Sequence, residues 1–394
     1  MDTTTQSGDI RILSFSNTTK QDLKLLKQFV NFHWDHYRDD QQYIPLLDYE
    51  YLGFKLIGIH GFFEPDNLFF KHATMRFFLA MRGDKIVGRC NAFVNRNHNE
   101  HWKDKVGFFG QFESIDDQSV TNALLDSAAE WLKSEGMDRI RGPQNLPVNE
   151  ATPGILTKGF DTRPVMYYHY NKPYYEKLLD NAEFKCIQRV LSWEYPVEQP
   201  FPEKYKRLCD KIIERYNIKI ETWEERPLDV RKKEMMDIYN AAWNDNFGFV
   251  PFTEEEFFTI IDDMTLIIDK KLFMFLYIKG EPAAFFGGVP NVVEKLVKIG
   301  NCRHCELIRA VRMLLGKGKT KGYRLGYLGV KPKFRKLGLD GVMLAKQKEY
   351  SEKSQYEYAD LGWVLEDNVM TVRIIEGVGG IPSKTYSIYE REIQ

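Results

Sequence analysis

The sequence of 394 residues contains no run of about 18 apolar side chains, the length a spanning helix needs, so nothing in it reads as a transmembrane segment. It also lacks an excess of either charge. Lys and Arg number 55 against 56 Asp and Glu, a net charge of −1, which excludes the broad basic surface of a nucleic-acid binder. Cysteine is scarce: five residues at 90, 186, 209, 302 and 305 are odd in number and scattered, as expected of reduced thiols in a cytoplasm. CRHC (302–305) has no second ligand pair at a suitable spacing, so ordinary buried thiols are expected there and no metal site. The opening MDTTTQSGDIRIL shows no charged-then-apolar targeting pattern, which also fits a cytoplasmic location. No P-loop, dinucleotide fingerprint or Ser-His-Asp order is present.

What is present is an order of elements that occurs twice. A strand–turn–strand unit, RFFLAMRGDKIVGRCNAFV, centres on Gly83, and LFMFLYIKGEPAAFFGGV centres on Gly280, 197 residues later. Helical segments precede each unit, and strand, helix and strand follow it. The simplest account is two similar α/β domains, 1–196 and 197–394, joined through the Pro-rich PVEQPFPEKY. In the first half the pattern predicts a strand over 10–16, a helix over 22–36, and a helix capped near Ser119. Residues 40–71 are rich in Tyr and Phe, which suits core packing or an apolar substrate surface. Residues 141–180 read as a long loop in which Asn145, Glu150 and His169 could form a substrate wall or simply pack. In the second half Thr253-Glu254-Glu255-Glu256 reads as a capping box.

The stretch with chemical content is GYRLGYLGVKPKFRKLGLDG, Gly322 to Gly341. A strand over 323–330 meets Pro332, a turn carries Arg335 and Gly338, and a helix follows with Leu339, Val342 and Met343 at helical spacing. A glycine turn that opens a helix presents several unpaired N–H groups and the positive end of the helix dipole, which suits a pyrophosphate. Between Gly110 and Gly136 the first half has no glycine at all, so the expectation is one such site and not two.

That string, with Asn368 opening a later helix, resembles the acyl-CoA signature of the GNAT acyltransferases. The segments GRCNAFVN, GFFGQFES, RGPQN, LLDNAEFK and LEDNVMTVRIIEGVGGIPSKTYSIYER are similar, in order, to a bacterial group of tandem GNAT-like proteins that includes ceramide-forming enzymes. The resemblance implies an α/β (α+β) fold of two tandem GNAT-like domains, each a mixed, mostly antiparallel sheet flanked by helices. The domain without the pyrophosphate loop would come first. It implies that Leu328, Gly329, Val330, Arg335, Lys336, Leu337, Gly338, Leu339, Asp340, Gly341 and Asn368 bind acyl-CoA or acetyl-CoA, the strand splaying open to take the pantetheine arm. The loop 244–252 would lie over the substrates. Two departures stand out: Asp340 occupies a Gly or Ala position, and Ile375 stands where a tyrosine often serves as general acid.

The activity implied is acyl transfer from CoA to a primary amine, a small molecule or a lipid, with a long acyl chain and a sphingoid-type amine in view. Peripheral membrane contact would accompany a lipid substrate. Such chemistry needs a donor for the oxyanion, a base for the ammonium proton and a proton for the thiolate. The candidates are a backbone N–H near Val330, the carboxylates Glu366 and Asp367, and Tyr389 in the final strand. The competing reading is a CoA-binding or regulatory protein that kept the fold without turnover.

Overall fold

The computed structural model describes every residue except 1–3, 8, 46, 55–59, 147–148, 150, 298–304 and 394. The chain folds as two compact units. Unit 1 comprises Met1–Val190, Ile299–Arg309 and Thr385–Gln394, and unit 2 comprises Leu191–Lys298 and Ala310–Lys384. The elements up to the junction are β1 (Thr4–Ser7), β2 (Ile10–Phe15), α1 (Lys20–His36), α2 (Asp48–Leu52), β3 (Ala73–Arg82), β4 (Lys85–Asn95), α3 (Arg96–Trp102), β5 (Val106–Ser114), α4 (Gln118–Ser134), β6 (Arg139–Gly142), β7 (Ile155–Lys158), α5 (Tyr175–Asn181) and β8 (Lys185–Pro196). There follow α6 (Glu203–Tyr216), β9 (Ile218–Thr222), α7 (Leu228–Trp243), α8 (Glu254–Thr265), β10 (Met274–Ile278), β11 (Glu281–Pro290), α9 (Glu294–Val297), α10 (Glu306–Gly316), β12 (Gly322–Val330), α11 (Leu339–Ser351), β13 (Tyr358–Leu365), α12 (Val369–Gly377) and β14 (Ile381–Glu392).

The two units share one plan. In unit 1, β2, β3, β4 and β5 pair antiparallel in sequence order and β5 then pairs parallel with β6. In unit 2, β9, β10, β11 and β12 pair antiparallel and β12 then pairs parallel with β13. The two hairpins turn at Gly83 (φ +59°) and Gly280 (φ +81°), left-handed positions where a side chain would be strained. Both lie where the sequence pattern puts them. Unit 1 is completed from far along the chain: β14 sets Tyr389 opposite Gly142 on β6 and Tyr386 opposite Leu156 on β7.

Alternation along the strands makes the layers. On β3, Phe78 and Ala80 join the cluster built on Val120, Leu124, Ala128 and Leu132 of α4, whereas Phe77, Leu79 and Met81 join the cluster of Leu26, Phe29 and Val30 from α1. Helix α1 begins in a capping box of Thr19 and Asp22, which satisfies two otherwise orphaned N–H groups. Helix α4 is capped by Asp117, whose side chain accepts from the Ser119 N–H, two residues earlier than the sequence suggested. In unit 2, Leu276, Phe286 and Leu325 of the sheet pack with Leu339, Val342 and Met343 of α11. The capping box at Thr253 is present. Residues 141–180 are less irregular than expected, since β7 and α5 lie within them.

The thiol expectation needs one correction. Cys90, Cys186 and Cys209 are free, but Cys305 is disulfide-bonded, and Cys302 lies outside the described residues. Among the described residues, no helix is long and apolar enough to cross a membrane.

Candidate active site in the second unit

The site in unit 2 arises where two strands fork. β12 and β13 pair in parallel only from Gly322 opposite Tyr358 to Leu325 opposite Leu361. Beyond that, β12 continues to Val330 and β13 to Leu365, with no further pairing between them among the described residues. The cause is a bulge. On the β11 side Gly288 lies opposite Leu325 and Gly287 opposite Tyr327, so Gly326 is the extra residue that bends β12 away. The buried Arg324 marks the fork, its Nε donating to the Gly362 carbonyl at 3.1 Å.

The fork opens a cleft of about 90 Å³. Gly326 and Leu328 line it from β12, residues 361–365 from β13, Asp340 and Leu344 from α11, Trp243 and Asn246 from above, and Asn368, Thr371, Ile374 and Ile375 from around α12. Trp243 sits against β12 so closely that a Cβ on Gly329 would lie 2.6 Å from its ring. Trp363 lines the cleft, and among the described residues its buried indole Nε1–H has no hydrogen-bond partner.

Past the cleft, residues 331–338 lead from β12 into α11. Gly338 is left-handed at φ +77° and a Cβ there would meet Ile212 Cδ1 at 2.8 Å. Lys336 is also left-handed at φ +68°. Within this turn the Phe334 and Arg335 N–H groups donate to the Lys331 and Pro332 carbonyls at 2.9 Å and 3.2 Å, while the first N–H groups of α11 have no intrahelical acceptor, and the dipole of this 13-residue helix adds positive potential there. Arg335 donates from Nη2 to the Ala242 carbonyl at 2.8 Å, bracing the turn against α7. Asp340 is the exception to the anion-binding character. Its Oδ1 accepts from the Gly341 N–H at 3.1 Å, and burial raises its carboxyl above the ordinary value.

Of the residues expected to hold CoA, Leu328, Asp340 and Asn368 line the cleft. Gly329 and Val330 continue β12, Arg335, Lys336, Leu337 and Gly338 form the turn, and Leu339 and Gly341 belong to the first turn of α11. Asn368 caps α12, its Oδ1 accepting from Thr371 N–H at 3.3 Å. Glu366 and Asp367 are exposed, between the lining residues Leu365 and Asn368. Tyr389 is not with them. It lies in the core of unit 1, where its hydroxyl donates to Glu176 Oε1 at 3.2 Å. Within 244–252, Asn246 lines the cleft while Phe249 and Val250 are buried in packing. Gly326, Trp243 and Trp363 escaped the sequence reading; a glycine inside the β-rich 322–330 was the one available signal of a bulge.

Unit 1 carries the same fork, closed. Among the described residues β5 pairs in parallel with β6 only over Val106–Phe108, and its register with β4 shifts between Arg89 and Asn91. Here the chain itself fills the gap. Gln144 N–H donates to the Phe109 carbonyl at 2.7 Å, and Asn145 Oδ1 accepts from the Gln111 N–H at 2.6 Å. A Cβ on Gly110 would lie 2.1 Å from the Gln144 carbonyl oxygen. Asn145 is therefore part of the plug, His169 offers its carbonyl to the Tyr386 hydroxyl at 2.9 Å, and Glu150 lies outside the described residues. Beside the plug, Glu113 accepts from the Tyr37 and Tyr175 hydroxyls at 2.6 Å each, and burial raises its carboxyl despite the nearby Arg89.

Known proteins share this architecture. Over 98% of its length the chain matches 99% of a tandem GNAT protein from the clavulanic acid biosynthesis pathway, with a TM-score of 0.54 and 9% identity. Over 99% it matches 98% of a GCN5-related N-acetyltransferase from Sphaerobacter thermophilus, with a TM-score of 0.52 and 11% identity. The paired forks and these matches define the class: a protein of the tandem GNAT fold. No family model matches the chain. In sequence it is 30% identical over 333 residues to the bacterial ceramide synthase of Caulobacter vibrioides (strain NA1000 / CB15N), covering 83% of this chain and 86% of that one. It is 27% identical over 373 residues to Protein YghO of Escherichia coli (strain K12), covering 93% of each. The chain belongs to the tandem GNAT-like acyltransferase family of that ceramide synthase, and it is an acyltransferase.

Proposed function

We propose that unit 2 takes an acyl-CoA and transfers its acyl group to a primary amine, a long chain onto a sphingoid-type amine being the preferred case. The observation that carries this is the open fork of β12 and β13 leading to the glycine turn at Gly338. The residues fit CoA in two respects. The cleft is apolar along Leu328, Leu344 and Leu361, and it ends at a helix N-terminus. Bound there, the cosubstrate supplies an activated thioester. The backbone N–H groups near Val330 would polarise its carbonyl, the turn amides from Lys336 to Leu339 would hold the pyrophosphate, and Glu366 or Asp367 would take the ammonium proton. Ile375 lines the cleft and offers no proton, so the thiolate leaves unassisted or through water. Tyr389 has no part in this reading, because Glu176 engages its hydroxyl within unit 1. The ceramide synthase relative supports the lipid amine and, with it, contact with a membrane surface.

The test is release of free CoA thiol by the purified protein with acetyl-CoA or a long-chain acyl-CoA, each offered a sphingoid base and a water-soluble amine, with products identified by mass spectrometry. Amide product from the long-chain donor and the sphingoid base is expected. Product from acetyl-CoA and the soluble amine alone would remove the lipid reading, and no product from any pair would remove the amine acceptor.

A further inference from the structure

Helix α10 turns its apolar residues outward. Its buried stripe is Glu306, Arg309, Ala310 and Met313, two of them ionisable. Leu307, Ile308, Val311, Leu314 and Leu315 are all exposed, Ile308 at 62% and Leu315 at 78%, and their spacing of i, i+1, i+4, i+7 and i+8 places them on one face. Arg312 is exposed at the margin of that face, and Lys317 and Lys319 follow the helix. The Lys317 ammonium donates to the Leu266 carbonyl at 2.7 Å, which sets a further exposed apolar side chain alongside. From Leu307 to Leu339 the sequence has ten Lys and Arg and no Asp or Glu; Arg309 and Arg324 are buried and Lys321, Lys331 and Lys333 pair with carboxylates, which leaves Arg312, Lys317 and Lys319 as the cations of this helix and its end.

We propose that α10 is a docking surface for an anionic membrane, lying in the interface with its leucine-rich face among the acyl chains and Arg312, Lys317 and Lys319 at the headgroups. A helix of 11 residues, about 16 Å long, suits a position along the interface rather than across it. Charge selects this occupant. A two-fold contact of this face with a second copy would gather the cations of both copies in one interface, with no exposed carboxylate on the helix to compensate. A membrane carrying anionic headgroups supplies the missing sign. The surface extends the lipid-substrate reading above but is tested without turnover, so either can fail alone.

The experiment is flotation of the full chain with vesicles of phosphatidylcholine and phosphatidylglycerol at three to one, and with phosphatidylcholine alone. The variants are Ile308→Glu with Leu315→Glu, and Arg312→Gln with Lys319→Gln. Wild type is expected to float with the anionic vesicles and about tenfold less with the neutral ones, and each variant to lose about tenfold or more. Unchanged thermal unfolding and acetyl-CoA titration of the variants would show that the loss is local. Absence of flotation by wild type, or flotation of the double-Glu variant equal to wild type, would overturn the proposal. So would a wild-type dimer in sedimentation that the double-Glu variant dissociates without any vesicle binding, which would assign the face to a second copy.

Discussion

Replacing Gly338 separates the shape of the turn from its electrostatics. At φ +77° any side chain costs about 1–2 kcal/mol of backbone strain. The added Cβ would meet only the tip of Ile212 at 2.8 Å, a flexible group that can give way. Gly338→Ala and Gly338→Glu should therefore both fold, each losing about 1–2 kcal/mol of the roughly 5–15 kcal/mol typical of a domain. Binding should split them. A carboxylate about 5 Å from a phosphate charge costs about 3 kcal/mol at an effective dielectric near 20, which is more than a hundredfold in affinity. Alanine adds no charge and should lose less than about tenfold. Calorimetric titration with acetyl-CoA, beside thermal unfolding of the same samples, reads both quantities. A folded Glu variant that binds as tightly as wild type would refute the pyrophosphate assignment. Equal losses in the two variants would show that strain, not charge, governs the turn.

Asp340→Asn should keep the Gly341 N–H bond and remove a carboxylate from the cleft, tightening CoA by about tenfold at neutral pH. The gain should shrink on acidification, because burial raises the Asp340 carboxyl and wild type then becomes neutral too; titrations at two pH values check this. Gly110→Ala has no flexible neighbour to displace, only the Gln144 carbonyl at 2.1 Å and the Asn91 side chain at 2.8 Å. A loss of about 3 kcal/mol in chemical denaturation is expected, and an unchanged midpoint would mean the plug is loosely held. Burial and the neighbouring Asp48 push Glu306 up to about 7, and burial and Glu306 do the same to Glu50. Both are raised above the unfolded value of 4.5, so the folded state holds protons that the unfolded chain has released, and this pair should lower stability as pH rises from 4.5 towards 7. Glu306→Gln should flatten that fall in melting temperature, and an identical slope would remove the pair as its source.

Local signals carried much of the fold. The two hairpins were legible because a left-handed glycine separates β-rich runs, and the same holds for Gly338 at the head of α11. The long-range pairings were not legible. Nothing in the composition of SKTYSIYER says that Tyr389 pairs across to Gly142 instead of approaching the cleft, since that choice is made by β6, some 250 residues away. The fork itself is a register effect. A single residue, Gly326, decides that β12 leaves β13, and a glycine within a strand arises from close backbone packing as readily as from a bulge. The outward face of helix α10 was hidden because leucines and a valine at helical spacing read equally well as a buried face.

The two forks show why one plan yields one open cleft. The missing glycine between Gly110 and Gly136 is the smallest of four differences. The connection from β5 to α4 is Ile115, Asp116 and Asp117 alone, whereas residues 331–338 lead into α11. The first carries two carboxylates, of which Asp117 caps α4 and pairs with Arg82, where the second carries Lys331 and Lys333, paired with Asp237 and Glu281, together with Arg335 and Lys336. A pyrophosphate at the head of α4 would meet like charge and no turn amides beyond those of the helix itself. Above that, Gln144 and Asn145 satisfy the backbone groups that the fork exposes, at 2.7 Å and 2.6 Å. In unit 2 the corresponding edges of β12 and β13 are left beside an open cleft, and a ligand with amides along its length could pair with them as the plug does in unit 1. On the proposed function, the hydrogen bonds that the plug makes in the closed fork are of the kind that the pantetheine amides would make in the open one.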